Sequence, residues 1–108
     1  MAVSNDFLEY ILDQLSHWGD VTSRRLFGGA GLYRDGKIFA LLSDNIMYLK
    51  VDETNTEKYV KSGSSPFKPF PNRPTIMSYF EVPPDILEDS EELIEWAKEA
   101  LSIQQKEK

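Results

Sequence analysis

The chain has 108 residues, 41% hydrophobic and 28% charged, and this composition fits one globular domain rather than a disordered segment. It contains no cysteine, which excludes disulfide frameworks, thiolate metal sites and cysteine nucleophiles. The net charge of −6 argues against indiscriminate binding to nucleic acid.

Location and domain organisation follow from the same sequence. No apolar run reaches membrane-spanning length, and the N-terminus lacks the basic start and apolar core of a signal peptide. We therefore expect a cytoplasmic protein without membrane contact. We expect a single domain over residues 1–108, with an ordered core from about residue 4 to about residue 103, because the polar C-terminal tail is expected to fray.

The first quarter of the chain predicts one helix. Ser4 or Asn5 can cap its start, and Gly19 can end it. Apolar residues follow at helical spacing and predict one buried stripe. They are Phe7, Leu8, Ile11, Leu12 and Leu15.

Four strands are predicted next, over residues 21–27, 32–34, 37–42 and 46–51. Asp35-Gly36 predicts a two-residue hairpin, because glycine accepts the positive φ of a type I′ turn. The loops are short, so the strands are expected to be antiparallel neighbours. Residues 38–42 are apolar without interruption. We expect Phe39 and Leu41 on one face of the sheet and Ile38 and Leu42 on the other.

The second half predicts a short helix capped by Thr54 or Asn55, a proline-rich loop over residues 62–74, a fifth strand over residues 75–82 and a final helix capped by Asp89 or Ser90. The loop carries Phe67 and Phe70, which we expect to dock it onto the domain. The fold class is therefore α+β: a two-layer domain with an antiparallel five-stranded sheet and helices on one face, in the order α-β4-α-β-α.

The glycine cluster Gly28, Gly29 and Gly31 lacks the spacing of nucleotide-binding loops, and a strand rather than a helix follows it. It predicts a bend, a bulge or a close approach of two backbones. His17 is the single histidine and has no marked partner for acid–base chemistry. The acidic residues 88–95 lack metal-site spacing. We predict no catalytic, cofactor-binding or metal-binding residues and no enzyme activity.

Adjacent arginines on a strand point to opposite faces, so we expect Arg24 and Arg25 to differ in environment. One is expected to pair with an acid from a helix and the other to face solvent or a partner. Residues 24–73 hold nine basic and five acidic side chains, whereas both ends of the chain are acidic. Solvated acidic helix faces explain this pattern, and direct nucleic-acid binding is the alternative. Tyr33, Phe39 and Tyr48 could then supply stacking on the same sheet.

The stretch from Arg24 to Tyr33, with Asp35-Gly36 and later pieces such as residues 77–83, resembles the N-terminal domain of the TfoX/Sxy family. The resemblance runs from about Phe7 to Leu101. It implies a fold similar to secretion chaperones, no cofactor, and a regulator of competence for DNA uptake that acts with the cyclic-AMP receptor protein. Longer members carry a second domain, so this chain is a one-domain member or one domain of a longer protein. The family-motif residues are Phe27, Gly28, Gly29, Gly31, Asp35 and Gly36.

From the residues and the resemblance together, we expect a non-enzymatic regulatory protein that acts by protein–protein contact in transcriptional control. Apolar residues on both faces of the predicted sheet indicate a partner surface or a homodimer, unless the proline-rich loop covers them. The candidate partner-binding residues are Arg24, Arg25, Arg34, Lys37, Tyr48 and Lys50.

Overall fold

The structure is a computed structural model that describes residues 3–26, 28–68 and 78–106. In chain order the elements are α1 (Asn5–Gln14), β1 (Thr22–Leu26), β2 (Gly29–Arg34), β3 (Lys37–Ser43), β4 (Ile46–Lys50), α2 (Thr56–Lys61), β5 (Tyr79–Glu81), α3 (Pro84–Leu87) and α4 (Ser90–Lys106). The predicted α+β class is confirmed. α3 was not predicted; it begins at Pro84, where the fixed φ of proline suits the first turn of a helix.

The sheet has the strand order β1-β2-β3-β4-β5, and every neighbouring pair is antiparallel. Two tight turns set this meander. Asp35 and Gly36 have φ of 54° and 76°, and Asp44 and Asn45 have φ of 57° and 58°. Two consecutive positive φ values define the type I′ hairpin predicted for Asp35-Gly36, and the second turn uses the same geometry with asparagine in place of glycine.

A β-bulge in β3 overturns the predicted alternation of its side chains. Leu32 pairs with Ala40 but Tyr33 pairs with Ile38, so Phe39 is the extra residue. Phe39 is fully buried, and its ring meets the Trp18 ring edge-on at 5.2 Å between centroids. The placement of Phe39 with Leu41 and of Ile38 with Leu42 was therefore wrong. Phe39, Ala40 and Leu42 point into the core, and Ile38 and Leu41 point the other way.

The helices of the described residues lie on one side of the sheet, as predicted. α4 packs along β3 and β4, α3 and α1 contact α4, and α2 contacts β5. The Tyr59 ring of α2 meets Phe80 at 5.8 Å and Trp96 of α4 at 4.9 Å. The residues with no exposed surface in the core between the layers are Ile11, Leu32, Phe39, Ala40, Leu49, Tyr59, Leu93, Ala97 and Ala100.

Helix caps follow the predicted chemistry at two of three sites. The Ser4 hydroxyl accepts a hydrogen bond from the Phe7 amide (3.1 Å), and the Asp89 carboxylate accepts one from the Glu92 amide (3.2 Å). Asn55 precedes α2 but makes no side-chain cap bond; its Oδ1 accepts from the Asp52 amide instead. α4 extends to Lys106, three residues past the predicted fraying point. None of the helices in the described residues is long and apolar enough to cross a lipid bilayer.

The proline-rich loop pairs with the far edge of β5. Pro66 bridges to Phe80, the Phe67 amide donates to the Tyr79 carbonyl (2.8 Å), and the Glu81 amide donates to the Ser65 carbonyl (3.0 Å). Docking through Phe67 is thus confirmed. Phe70, Pro69, Pro71, Pro74 and residues 75–77 of the predicted fifth strand lie outside the described residues.

Candidate functional site

The sheet face opposite the helices is the candidate site. We call it the outer face and define it by Arg24, Leu26, Tyr33, Ile38, Leu41, Tyr48 and Glu81, which the strand register places on one side together with Gly31. Among the described residues, no helix packs on this face. Apart from exposed Arg24, each of the seven side chains is half-buried.

One row of the outer face crosses all five strands. Arg24 pairs with Gly31, Gly31 with Leu41, Leu41 with Tyr48, and Tyr48 with Glu81. The row therefore runs from a cation at β1, through an apolar centre at β3, to an anion at β5. At about 4.8 Å per strand, Arg24 and Glu81 are about 19 Å apart.

Gly31 is the member of this row without a side chain, and it is buried beneath the side chains of its neighbours. A Cβ atom there would lie 2.9 Å from Ile38 Cδ1, 3.0 Å from Leu26 Cδ1 and 3.2 Å from Tyr33 Cε1. These three side chains occupy the space that a larger residue at position 31 would fill. Side chains from β1, β2 and β3 therefore form a continuous apolar layer over Gly31, flanked by Leu41 on β3.

Aromatic side chains lie on the β4 and β5 side of the row. The Tyr48 ring packs against Phe67 of the proline-rich loop, with 4.8 Å between centroids. Burial raises the pKa of the Tyr48 hydroxyl, and the nearby charges of Glu81 and Asp44 raise it further. Tyr48 is therefore neutral at physiological pH and can both donate and accept a hydrogen bond.

Of the predicted basic candidates, Arg24 belongs to the outer face, and Lys50 follows Tyr48 by two residues on the same side of the sheet, but they differ in access. Arg24 is exposed, with its guanidinium carbon 5.9 Å from the centroid of the Tyr33 ring. Lys50 is only 9% exposed, and its Nζ lies 5.6 Å from the Tyr79 ring. Gln104 near the end of α4 approaches the Tyr79 hydroxyl at 3.4 Å, so the C-terminal turn of α4 borders this end of the face.

Arg25 and Arg34 are anchored on the helix side. Arg25 donates to the Val3 carbonyl and to Asn5 Oδ1, both at 2.7 Å. It fixes the start of α1 through neutral acceptors rather than through the acid that we expected. Arg34 donates from Nε to the Gly19 carbonyl (3.0 Å) and lies 4.7 Å from the Trp18 ring centroid.

Lys37 is exposed beside the Asp35-Gly36 turn, and its backbone lies opposite that of Arg34 in the register of β2 and β3. The six candidates are therefore divided between the two sides of the sheet. Arg24, Tyr48 and Lys50 lie on the side of the sheet opposite the helices, whereas Arg25, Arg34 and Lys37 lie on the helix side or its rim. The structure does not bring them together into one basic patch.

The glycines of the motif have separate structural tasks. Gly28 has φ of 83° in the connection between β1 and β2, and Gly36 has φ of 76° in the next hairpin. Gly29 lies within β2, where a Cβ atom would come within 2.3 Å of the Leu42 carbonyl oxygen. The predicted close approach of two backbones is thus at Gly29, and the bulge is in β3. Phe27 lies outside the described residues.

His17 is exposed in the turn that follows α1 and lines an open cleft of about 570 Å³ with Trp18 and the acidic first half of α4. In residues 3–26, 28–68 and 78–106, no group of three or more His, Asp or Glu side chains is placed to hold a metal ion.

Sequence reasoning missed a charged cluster between α2 and α4. Lys58 Nζ lies 2.7 Å from a Glu99 carboxylate oxygen and 4.1 Å from the Trp96 ring centroid. The Asn55 side-chain amide donates to the same carboxylate at 3.0 Å. Glu99 lies more than forty positions from Lys58 and Asn55 in the chain, so no local pattern indicates their contact.

Comparison with known proteins adds a family. Residues 13–103 match the sequence profile of the TfoX N-terminal domain family, and this range includes every strand and most of α4. No curated protein matches the chain.

Proposed function

This chain belongs to the TfoX N-terminal domain family, and from that membership we propose that it is a non-enzymatic regulatory protein acting by protein–protein contact in transcriptional control. The process that the family resemblance implies is competence for DNA uptake, with the cyclic-AMP receptor protein as partner. Such a regulator works in the cytoplasm, where transcription takes place. The match over residues 13–103 is the observation that carries this proposal.

The outer face supports a role in protein contact. Its apolar and aromatic side chains come from four strands, and charged residues stand at both ends of its central row. An apolar surface with a charged rim is the usual composition of a protein interface. As far as the described residues form it, the outer face offers no deep pocket for a small molecule, because its side chains lie along a sheet.

A gel-shift measurement tests the proposal directly. The full chain is titrated into a complex of the cyclic-AMP receptor protein with its promoter DNA at constant salt. We expect a slower-migrating ternary complex, or a tighter receptor–DNA complex, at micromolar chain concentrations. If the folded chain leaves the receptor–DNA complex unchanged, this function does not hold.

Direct nucleic-acid binding is the alternative, and the same experiment tests it on DNA without the receptor. Binding through phosphates would weaken steeply as salt rises. The arrangement of the basic side chains disfavours this alternative. Arg25 and Arg34 are held by acceptors within the chain, and Lys50 is buried. Of the seven residues that define the outer face, Arg24 is the exposed cation.

A further inference from the structure

We propose that the outer face binds a second copy of the same chain, through a two-fold axis that runs parallel to the strands and passes by Leu41. This deepens the proposed function by naming the partner of the outer face, and it rests on that function only in treating the face as a protein-contact surface. The helix sides of both copies would then remain available to the regulatory partner.

The charges of the central row select this axis. Rotation about an axis parallel to the strands reverses the row Arg24–Gly31–Leu41–Tyr48–Glu81. Arg24 of each copy then lies opposite Glu81 of the other, and two attractive pairs form. Rotation about an axis along the row would instead place Arg24 against Arg24 and Glu81 against Glu81, which is repulsive.

The same rotation also brings apolar and aromatic side chains of the row together. Leu41 meets its own copy at the axis, where an isologous interface requires self-contact. Tyr48 lies opposite Gly31 of the other copy, and the Phe67 ring packs against Tyr48. The aromatic pair of Tyr48 and Phe67 in each copy therefore faces the apolar layer that Leu26, Tyr33 and Ile38 form over Gly31 of the other.

The packing class is a common one. Two twisted sheets pack face to face with strands nearly aligned, and their inner side chains interdigitate. Burying the remaining exposed surface of the half-buried Leu26, Ile38 and Leu41 of both copies supplies the apolar contact. The exposed Arg24 and half-buried Glu81 stay at the rim, where ion pairs set register and specificity more than affinity.

Charge reversal with complementation tests the proposal. The molar mass of the full chain is measured by sedimentation equilibrium over a dilution series, for wild type, Arg24→Glu, Glu81→Arg and an equimolar mixture of the two variants. We expect a dimer for wild type. Each variant alone has two repulsive pairs and should dissociate at least about tenfold more readily.

The mixture is the decisive sample. In a mixed dimer, the glutamate introduced at position 24 of one variant faces the arginine introduced at position 81 of the other. At the opposite end the unchanged Arg24 and Glu81 face each other, so dimerisation should return. Residues 24 and 81 of one chain are about 19 Å apart across the sheet, so they cannot restore each other within one copy. A double variant carrying both reversals should also dimerise like wild type.

Leu41→Asp supplies a second perturbation, because it places two carboxylates together at the axis. It should dissociate the dimer, whereas Val60→Asp on α2, where the wild-type residue is 59% exposed, should leave the mass unchanged. Circular dichroism confirms that each variant is folded. The charge-reversal variants still decide the question if Leu41→Asp does not fold.

A monomeric wild type, or a dimer insensitive to Arg24→Glu and Glu81→Arg, overturns the proposal. Variants that dissociate but fail to recover on mixing also overturn it. The mass is measured without any regulatory partner. A monomer that still shifts the receptor–DNA complex therefore refutes only the dimer, and a dimer that leaves the complex unchanged refutes only the regulatory function.

Discussion

Gly29→Ala should destabilise the fold far more than Gly31→Ala, although both replace a glycine of β2. A Cβ atom at position 29 would lie 2.3 Å from the Leu42 carbonyl oxygen, which is backbone of the neighbouring strand. Carbon and carbonyl oxygen ordinarily approach to about 3.3 Å, so β2 and β3 would have to move apart by about 1 Å. These two strands form the centre of the sheet with β4, and the Ala30–Leu42 pair lies next to the clash.

The expected cost follows from this geometry. Forced overpacking costs about 1–3 kcal/mol, and weakening a neighbouring backbone hydrogen bond adds about 1 kcal/mol. Alanine recovers about 0.4–1 kcal/mol through the unfolded state. We expect Gly29→Ala to lower the free energy of unfolding by about 2–3 kcal/mol. This is a large part of the roughly 5–15 kcal/mol that is typical of a domain.

Gly31→Ala is the matched control. Its Cβ would meet only the ends of the Leu26, Tyr33 and Ile38 side chains, between 2.9 and 3.2 Å, and these can rotate outward. The expected cost is below about 1 kcal/mol, because the entropic gain offsets part of the crowding. Urea unfolding followed by tryptophan fluorescence measures both variants at one fixed protein concentration; Trp18 and Trp96 both pack in the helix layer. A Gly29→Ala variant within about 1 kcal/mol of wild type, or equal costs for the two variants, would refute the backbone-clash reasoning.

Four further predictions use other contacts. Arg25→Ala removes two hydrogen bonds to the start of α1, so it should lower the free energy of urea unfolding by about 1–2 kcal/mol. Arg24→Ala is the control and should change the stability of the monomer by less than about 0.5 kcal/mol. Equal effects of the two variants would contradict this prediction. The Tyr59 hydroxyl is buried without a hydrogen-bond partner among the described residues. Tyr59→Phe should therefore leave the free energy of unfolding unchanged or raise it by up to about 1 kcal/mol. A decrease of more than about 1 kcal/mol would show that the hydroxyl has a partner. Burial raises the pKa of Tyr59, so wild-type stability should fall as pH rises above the ordinary value of 10.0, and Tyr59→Phe should lose less over that range in thermal melts. Hydrogen bonds from Thr54 lower the pKa of Asp52 in the folded protein, so wild type should be more stable than Asp52→Asn above pH 3.8. This difference in melting temperature should vanish as the pH falls through the lowered pKa of Asp52. A difference that grows in acid would contradict the prediction.

Much of the fold was predictable because local chemistry determines it. Asp35-Gly36 has the backbone freedom of a type I′ turn, and the turn fixes the pairing of β2 with β3. Ser4 and Asp89 act as caps because a short oxygen-bearing side chain reaches the free amides of the first helical turn. These interactions join residues within a few positions of each other, so the sequence displays both partners together.

The outer face was predictable only in part, because its composition depends on one extra residue. Without the bulge at Phe39, simple alternation assigns Phe39 to the same side as Leu41 and hides the row that joins Leu41 to Arg24 and Glu81. Arg25 could not be assigned an acceptor either. Its partners, Val3 and Asn5, are about twenty residues away and become neighbours only when α1 packs beside β1. Burial of Lys50 depends in the same way on long-range packing, here near Tyr79 and the end of α4.

The contact between α1 and the C-terminal helices α3 and α4 has a consequence for folding kinetics. β1 to β4 form a meander whose pairings close over short loops, so this unit can assemble early at small entropic cost. The helix layer closes much later in sequence: Gln14 donates to the Leu87 carbonyl, and Ser90 donates to the Gln14 carbonyl, across more than seventy residues. We therefore expect the transition state to contain the hairpins and to lack the α1–α4 contact. Substitutions at Gln14 and Ser90 would then speed unfolding and leave the folding rate nearly unchanged.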